Sequence, residues 1–199
     1  MPVFPTSDVS SRQRLMAAAL ELFSEKGYSS TPVREIVHQA GVTKPVLYYY
    51  FKNKEGLFRA VFDWLGEHQK HNLNEILQVQ GTTCERLEAL IRLFLYMVGK
   101  HRKHFEMISS FIFAPSKGVP DYNFAQFPHR TMETVKKIYQ EGIERGEVID
   151  IDPGEAALLV MSVLFFSLRF CLLHPNLLDK ELPVRLLYLL FRGFEKKAV

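Results

Sequence analysis

The sequence predicts an all-α protein of about nine helices, a small basic head followed by a longer neutral body. Three observations carry that expectation. Apolar residues recur at helical spacing through most of the 199 residues, and no strand-like alternation persists. Two helix starts are written out, because Ser10 with Gln13, and Thr82 with Glu85, each form the Ser/Thr-x-x-Glu/Gln capping pattern. The formal charge of +3 is also unevenly placed: residues 1–60 hold eight Lys/Arg against five Asp/Glu, and the remainder holds seventeen of each. A positive head on a neutral body suits contact with a polyanion.

Taken in order, residues 1–9 read as a tail. Ser10 opens a helix that turns Leu15, Ala18, Ala19, Leu22 and Phe23 inward and ends at Gly27. Thr31 is expected to cap a second helix, with Pro32 at its first position, where the missing N–H has no helical partner to lose. Val33, Ile36, Val37 and Ala40 give this helix one apolar face, and Gly41 stops it. Thr43 is expected to cap a third helix that runs through Lys44 and Pro45 to about Tyr50. Asn53 then starts a fourth, reaching about residue 70, with Leu57, Phe58, Val61, Phe62 and Leu65 at helical spacing. The expected division is a head at 1–52 and a body at 53–199.

The body continues with longer helices. Leu87, Leu90, Ile91, Phe94, Leu95 and Val98 form a stripe behind the Thr82 cap. A Pro/Gly-interrupted stretch at 114–128 separates a helix near 102–113 from one near 129–145, which ends at Gly146. Asp152 and Pro153 open an apolar helix, and Asp179 opens a last one carrying Leu182, Leu186, Leu189, Leu190 and Phe194. The segment 156–173 approaches the ~20 apolar residues of a membrane span. Arg169 and two serines interrupt it, so a helix buried between neighbours or subunits explains it better than a membrane-associated protein does. The first residues hold neither a basic start nor an apolar run, so no signal peptide is expected. Cys84 and Cys171 form no CxxC and read as reduced thiols in a cytoplasmic protein.

Catalytic and metal chemistry find little support. His68/His71 and His101/His104 sit three apart, as two ligands on one helix face would, yet no Cys or carboxylate set completes a metal site. No P-loop, GxGxxG, nucleophile elbow or HExxH is present, so neither an enzyme nor a cofactor is expected.

The informative register is Val33-x-x-Ile36-Val37-x-x-Ala40-Gly41-Val42-Thr43. Two short helices across a glycine-containing turn form the helix-turn-helix, whose second helix projects into the DNA major groove. In that geometry Ala40 is small where the helices approach, and Val42 and Leu47 fill the angle between them. Thr43 offers a hydroxyl to a phosphate, and Lys44 a flexible charge for phosphate or guanine. Pro45 and Val46 present apolar surface suited to a thymine methyl. Leu47 and either Tyr50 or Phe51 face inward, leaving the Tyr48 and Tyr49 hydroxyls for phosphates or base edges. Lys54 is expected to add a phosphate contact at the start of the fourth helix.

The run TPVREIVHQAGVTKPVLYYYFKNKEGLF resembles the DNA-binding head of the TetR family of transcriptional regulators. The Gly-Val-Thr-Lys turn, the Leu-Tyr-x-Tyr-Phe helix end and the following Lys-x-x-Leu carry the likeness, which covers roughly the first quarter of the chain. Carried over by position, it implies Thr31, Thr43, Lys44, Val46, Tyr48, Tyr49 and Lys54 near DNA. Pro32 stands where the family often has a second hydroxyl residue, and Pro45 where small residues are common. The resemblance further implies a one-component repressor with a helical C-terminal domain that binds a small effector and forms a homodimer on a palindromic operator. The dimer is expected through helices near 153–174 and 179–196. His104, Phe105, Ile108, Phe111, Tyr139, Met161 and Phe165 are the candidate lining of an apolar effector pocket. The competing reading is a dimeric helical DNA-binding protein that answers to no ligand.

Overall fold

The computed structural model describes residues 10–113, 118–173 and 181–194, and every regular element among them is helical. The helices are α1 (Ser11–Lys26), α2 (Val33–Gln39), α3 (Lys44–Phe51), α4 (Lys54–Gln78), α5 (Thr83–Lys100), α6 (Arg102–Phe113), α7 (Gln126–Glu144), α8 (Pro153–Leu173) and α9 (Leu182–Phe194). The expected all-α architecture is thus present. Asp179, expected to open α9, lies outside the described residues.

The start signals act as physical chemistry demands. The Ser10 hydroxyl accepts from the Gln13 N–H while the Gln13 side chain accepts from the Ser10 N–H, so two orphan donors of α1 are satisfied. Thr82 and Glu85 do the same at α5, and Asp152 accepts from the Glu155 N–H at α8. Two expected caps differ. Thr31 does not cap α2, whose N-cap is Pro32; its hydroxyl turns back to the Gly27 carbonyl at 2.8 Å. Thr43 occupies the N-cap of α3 without a side-chain cap bond, so its hydroxyl stays outside the helix. α7 begins three residues earlier than expected, because Pro128 falls in the first turn, where no intrahelical N–H bond is required. α4 extends to Gln78, beyond the expected end near 70.

The chain forms two compact units, Met1–Gln69 with His101–Ala125, and Lys70–Lys100 with Gln126–Val199. The first unit is built on aromatic packing. Leu15, Ala19, Ile36, Leu47, Leu57, Phe58 and Phe62 have no exposed surface. Phe58 packs on Tyr28, Phe23 and Phe62 with centroid separations of 5.0, 5.8 and 4.6 Å. Phe62 lies 5.1 Å from Phe124, and Phe111 4.9 Å from Phe124. Each fully buried phenylalanine stabilises by about 2–3 kcal/mol.

In the second unit α5, α7, α8 and α9 pack on one another. Arg86 is 3% exposed and spends its charge on Glu141 Oε2 (2.5 Å) and the Leu77 carbonyl (3.0 Å), which ties the end of α4 to α5 and α7. Gly142 is a close approach: a Cβ there would strike Thr83, whose hydroxyl donates to Glu147. The inner face of α8 is Ala156, Ala157, Val160, Met161, Leu164, Leu168 and Leu172, all buried. Its outer face exposes Leu158, Leu159, Phe166 and Leu173.

Candidate nucleic-acid interface

The turn between α2 and α3 closes through two backbone bonds. Gly41 takes the left-handed conformation (φ 61°), donates to the His38 carbonyl at 3.1 Å, and lets Val42 donate to the Val37 carbonyl at 3.0 Å. Only a residue without a Cβ adopts that geometry without strain. Ala40 is buried behind it and Val42 is half-buried, as the helix-turn-helix register requires.

Helix α3 then sorts its residues by angle. Leu47 is fully buried and Phe51, one turn on, is 6% exposed; both face the head's core. Successive residues advance ~100° around the axis, so the three positions between two buried i,i+4 anchors cover the remaining face. Tyr48, Tyr49 and Tyr50 are accordingly 48%, 82% and 41% exposed. Phe51 is the aromatic that turns in, and Tyr50 joins the outer face, its ring edge-on to Tyr49 at 5.0 Å. Thr43, Lys44 and Pro45 are exposed and Val46 is half-exposed, so the first turn presents one surface with the tyrosines. The result is an outward face of hydroxyls and ammonium, held from behind by two apolar anchors.

The exit of α3 is equally constrained. Lys52 adopts a positive φ of 65° and donates to the Tyr48 carbonyl, after which the Asn53 side chain accepts from the Gly56 N–H at 2.7 Å. Gly56 lets the first turn of α4 pass against the Phe51 carbonyl, where a Cβ would collide.

Two residues expected near DNA sit elsewhere. Thr31 is fully buried, with its hydroxyl on the Gly27 and Leu22 carbonyls, which corrects its expected phosphate contact. The Lys54 ammonium donates to the Tyr28 and Thr31 carbonyls at 2.7 and 2.9 Å, and lies 4.0 Å above the Tyr28 ring. Burial pushes its pKa below the ordinary lysine value. Lys54 ties the start of α4 to the α1–α2 connection. A side chain of four methylenes reaches inward as readily as outward, so its spacing could not reveal this.

Two arginines that were not expected at the site flank α3. The Arg12 guanidinium lies 5.5 Å over the Phe51 ring, and Arg14 Nη1 stands nearest the open side of Gly41. Their signal in the sequence is that no carboxylate occurs from Ser10 to Leu20.

The expected pocket residues divide between the units. On α6, His104 Nε2 lies 3.1 Å from Glu21 Oε2, Phe105 and Ile108 are half-buried, and Phe111 is buried among the aromatics. In the second unit Tyr139 is buried and donates to the Ile149 carbonyl, Met161 is buried, and Phe165 on α8 is half-buried. Among the described residues no three His, Cys, Asp or Glu side chains gather as a metal site would need.

Two short helices set across a left-handed glycine, the second showing tyrosines and a lysine, define a helix-turn-helix DNA-binding protein. Residues 15–61 match the family described as "Bacterial regulatory proteins, tetR family". The HTH-type transcriptional repressor KstR2 of Mycolicibacterium smegmatis is 28% identical over 162 residues, covering 76% of this chain and 75% of that one. Among solved structures, a putative fatty acid metabolism regulator of Clostridium perfringens superposes with a TM-score of 0.72 at 21% identity, covering 92% of this chain and all of that one. A complex of SmeT with triclosan has a TM-score of 0.75 at 18% identity, covering 94% and 93%. Residues 15–61 are thus a TetR-type DNA-binding head, and the relatives that the chain resembles over most of its length are transcriptional regulators.

Proposed function

We propose that this regulator is a cytoplasmic homodimeric repressor, released from a palindromic operator by a small hydrophobic ligand. The observation that carries the DNA half of this reading is the outward face of α3, where Thr43, Lys44, Pro45, Val46, Tyr48 and Tyr49 share one surface and Leu47 with Phe51 fix its orientation. Lys44 meets phosphate or guanine, the tyrosine hydroxyls meet phosphates or base edges, and Pro45 with Val46 meets a thymine methyl. KstR2, named a repressor, supports the sign of regulation.

The dimer half rests on α8 and α9. By length and composition Pro153–Phe170 could cross a membrane, with a mean hydropathy of 1.4. Among the described residues its exposed positions fall on a single stripe, Glu155, Leu158, Leu159, Ser162, Phe166, Arg169 and Leu173, and α9 shows a second stripe of Arg185, Tyr188 and Leu189, with Glu181 just before it. One-sided apolar stripes with polar members, on two helices packed together, suit a self-complementary two-fold seam better than lipid. Two heads held about 34 Å apart would read successive major grooves.

The effector half is supported by the apolar character of α6 and by the triclosan complex of SmeT. A ligand that favours one head spacing over another by ~1–3 kcal/mol suffices for regulation, with the 25-residue α4 as the connecting lever. The reading is tested by titrating the protein onto DNA from its own upstream region at several salt concentrations. Retardation with a steep negative slope of log K against log salt is expected. No retardation at low salt, or a slope near zero, would overturn it. A thermal-shift screen of hydrophobic metabolites and drugs tests the effector, and a hit must also release the DNA.

A further inference from the structure

We infer that Arg12 and Arg14 on α1 are a pair of DNA-backbone phosphate contacts, taking the role that Lys54 gives up. The inference rests on the DNA-binding reading above. Three observations lead to it.

The first is the disposition of cations in the head. Lys26 pairs with Glu35 at 2.7 Å, Lys103 with Glu25 at 2.7 Å, and Lys54 is held by two carbonyls and a ring. The C-terminal half of α1 is thereby neutralised. Its N-terminal half is not: both Arg12 and Arg14 are exposed, and among the described residues neither meets a carboxylate.

The second is position. Residues two apart on a helix point to different faces, so the two guanidiniums are not redundant. Arg12 lies over Phe51 at the end of α3, and Arg14 lies at Gly41, before its start. An eight-residue helix spans ~12 Å. A helix laid in the major groove is flanked by phosphates, and a cation at each end of it stands where those phosphates run.

The third is chemistry. A guanidinium presents a planar fork of donors that matches phosphate oxygens, and Arg14 uses one nitrogen on the Ser11 hydroxyl (3.2 Å), which leaves the rest of the fork available. Arg12 is exposed, lies 5.5 Å over the Phe51 ring and makes no hydrogen bond among the described residues, so its donors remain open. Both guanidiniums have a neighbour in the head and both keep donors for a ligand. The partner is any DNA backbone, since phosphate carries no sequence information.

The test compares Arg12→Gln, Arg14→Gln and Lys54→Met with the wild type on the upstream duplex and on an unrelated duplex of equal length. Each phosphate contact adds about 0.9 to the magnitude of the salt slope, so each glutamine substitution in a dimer should lower it by about 1.8. Both duplexes should weaken by the same factor, and Arg→Lys at either position should restore the slope. Lys54→Met should lower the melting temperature while leaving the slope unchanged. As a check independent of protein variants, single neutral methylphosphonates beside the groove should weaken the wild type. Glutamine variants with a wild-type slope, or methylphosphonates without effect, would overturn the inference. A wild type whose affinity is independent of salt would instead overturn the DNA-binding reading beneath it.

Discussion

Helix α3 and helix α8 both expose large side chains, and they do so in opposite chemical company. On α3 the exposed rings are Tyr48, Tyr49 and Tyr50, each ending in a hydroxyl, with Lys44 and Lys52 on the same short helix and its cap and Arg12 over its last ring. On α8 they are Leu158, Leu159 and Phe166, hydrocarbon to the tip, and α9 likewise exposes Tyr188 and Leu189. Equal exposure therefore calls for different partners. A surface of hydroxyls and cations gains by meeting a polyanion, whereas a hydrocarbon stripe gains by leaving water against a matching stripe.

Phe166→Glu or Leu158→Arg should convert dimer to monomer in sedimentation velocity. Operator affinity should then fall about 100-fold or more, because the second half-site is no longer bound at high effective concentration. Next, Tyr48→Ala and Lys44→Ala should each weaken operator binding by about 1–3 kcal/mol in anisotropy titrations, with helicity and dimerisation unchanged. A Tyr48→Ala protein that dissociates into monomers would dissolve the distinction between the two faces. A third, smaller effect lies behind the faces. Gly56→Ala and Gly142→Ala should each destabilise by about 1–3 kcal/mol in urea titrations, since one Cβ meets the Phe51 carbonyl and the other the Thr83 side chain. Only Gly56→Ala should also impair DNA binding, because it tilts α3.

The smallest effect is at the edge of the α9 stripe. Tyr188 donates to Glu88 Oε2 at 2.5 Å, and Glu88 also accepts from Arg92. The Tyr188 hydrogen bond first, then Arg92, holds the Glu88 carboxyl below its usual pKa, and the same bond pushes the Tyr188 phenol up to about 12. A lowered carboxylate pKa means stability present above the ordinary glutamate value and lost as pH falls through the folded value. A raised phenol pKa means stability present below ~10 and lost as pH rises through about 12. Tyr188→Phe should cost about 1 kcal/mol near neutral pH and flatten both limbs of a stability–pH curve.

Short-range signals are legible in the sequence itself. The Ser10 and Thr82 boxes, the Gly41 turn, the Asn53 cap and the Gly146 stop all depend on neighbours within a few residues, and each stands where spacing put it. The outward Tyr48 and Tyr49 were legible for the same reason, since Leu47 and Phe51 fix the helix phase. What escaped depends on distance. Thr31 has a cap-like position before α2, yet the carbonyls left open at the end of α1 compete for its hydroxyl and win. Lys54 has two directions available, and the carbonyls of Tyr28 and Thr31 decide between them. That α6 and Phe124 complete the aromatic core beginning at Phe23 has no local signature, because helical periodicity shows that a face is buried but not against what.

That aromatic core bears on how the protein can be cut and recombined. The forty-odd residues of α1 to α3 bury too little surface to stand alone, and Phe23 and Tyr28 rest on Phe58, which in turn rests on Phe62, Phe111 and Phe124. A chimera that grafts this DNA reader onto another body at residue 52 would leave those rings facing water. A graft that carries residues 10–69 together with 101–125 moves the whole aromatic stack, so the reading helix travels with the support it was folded on.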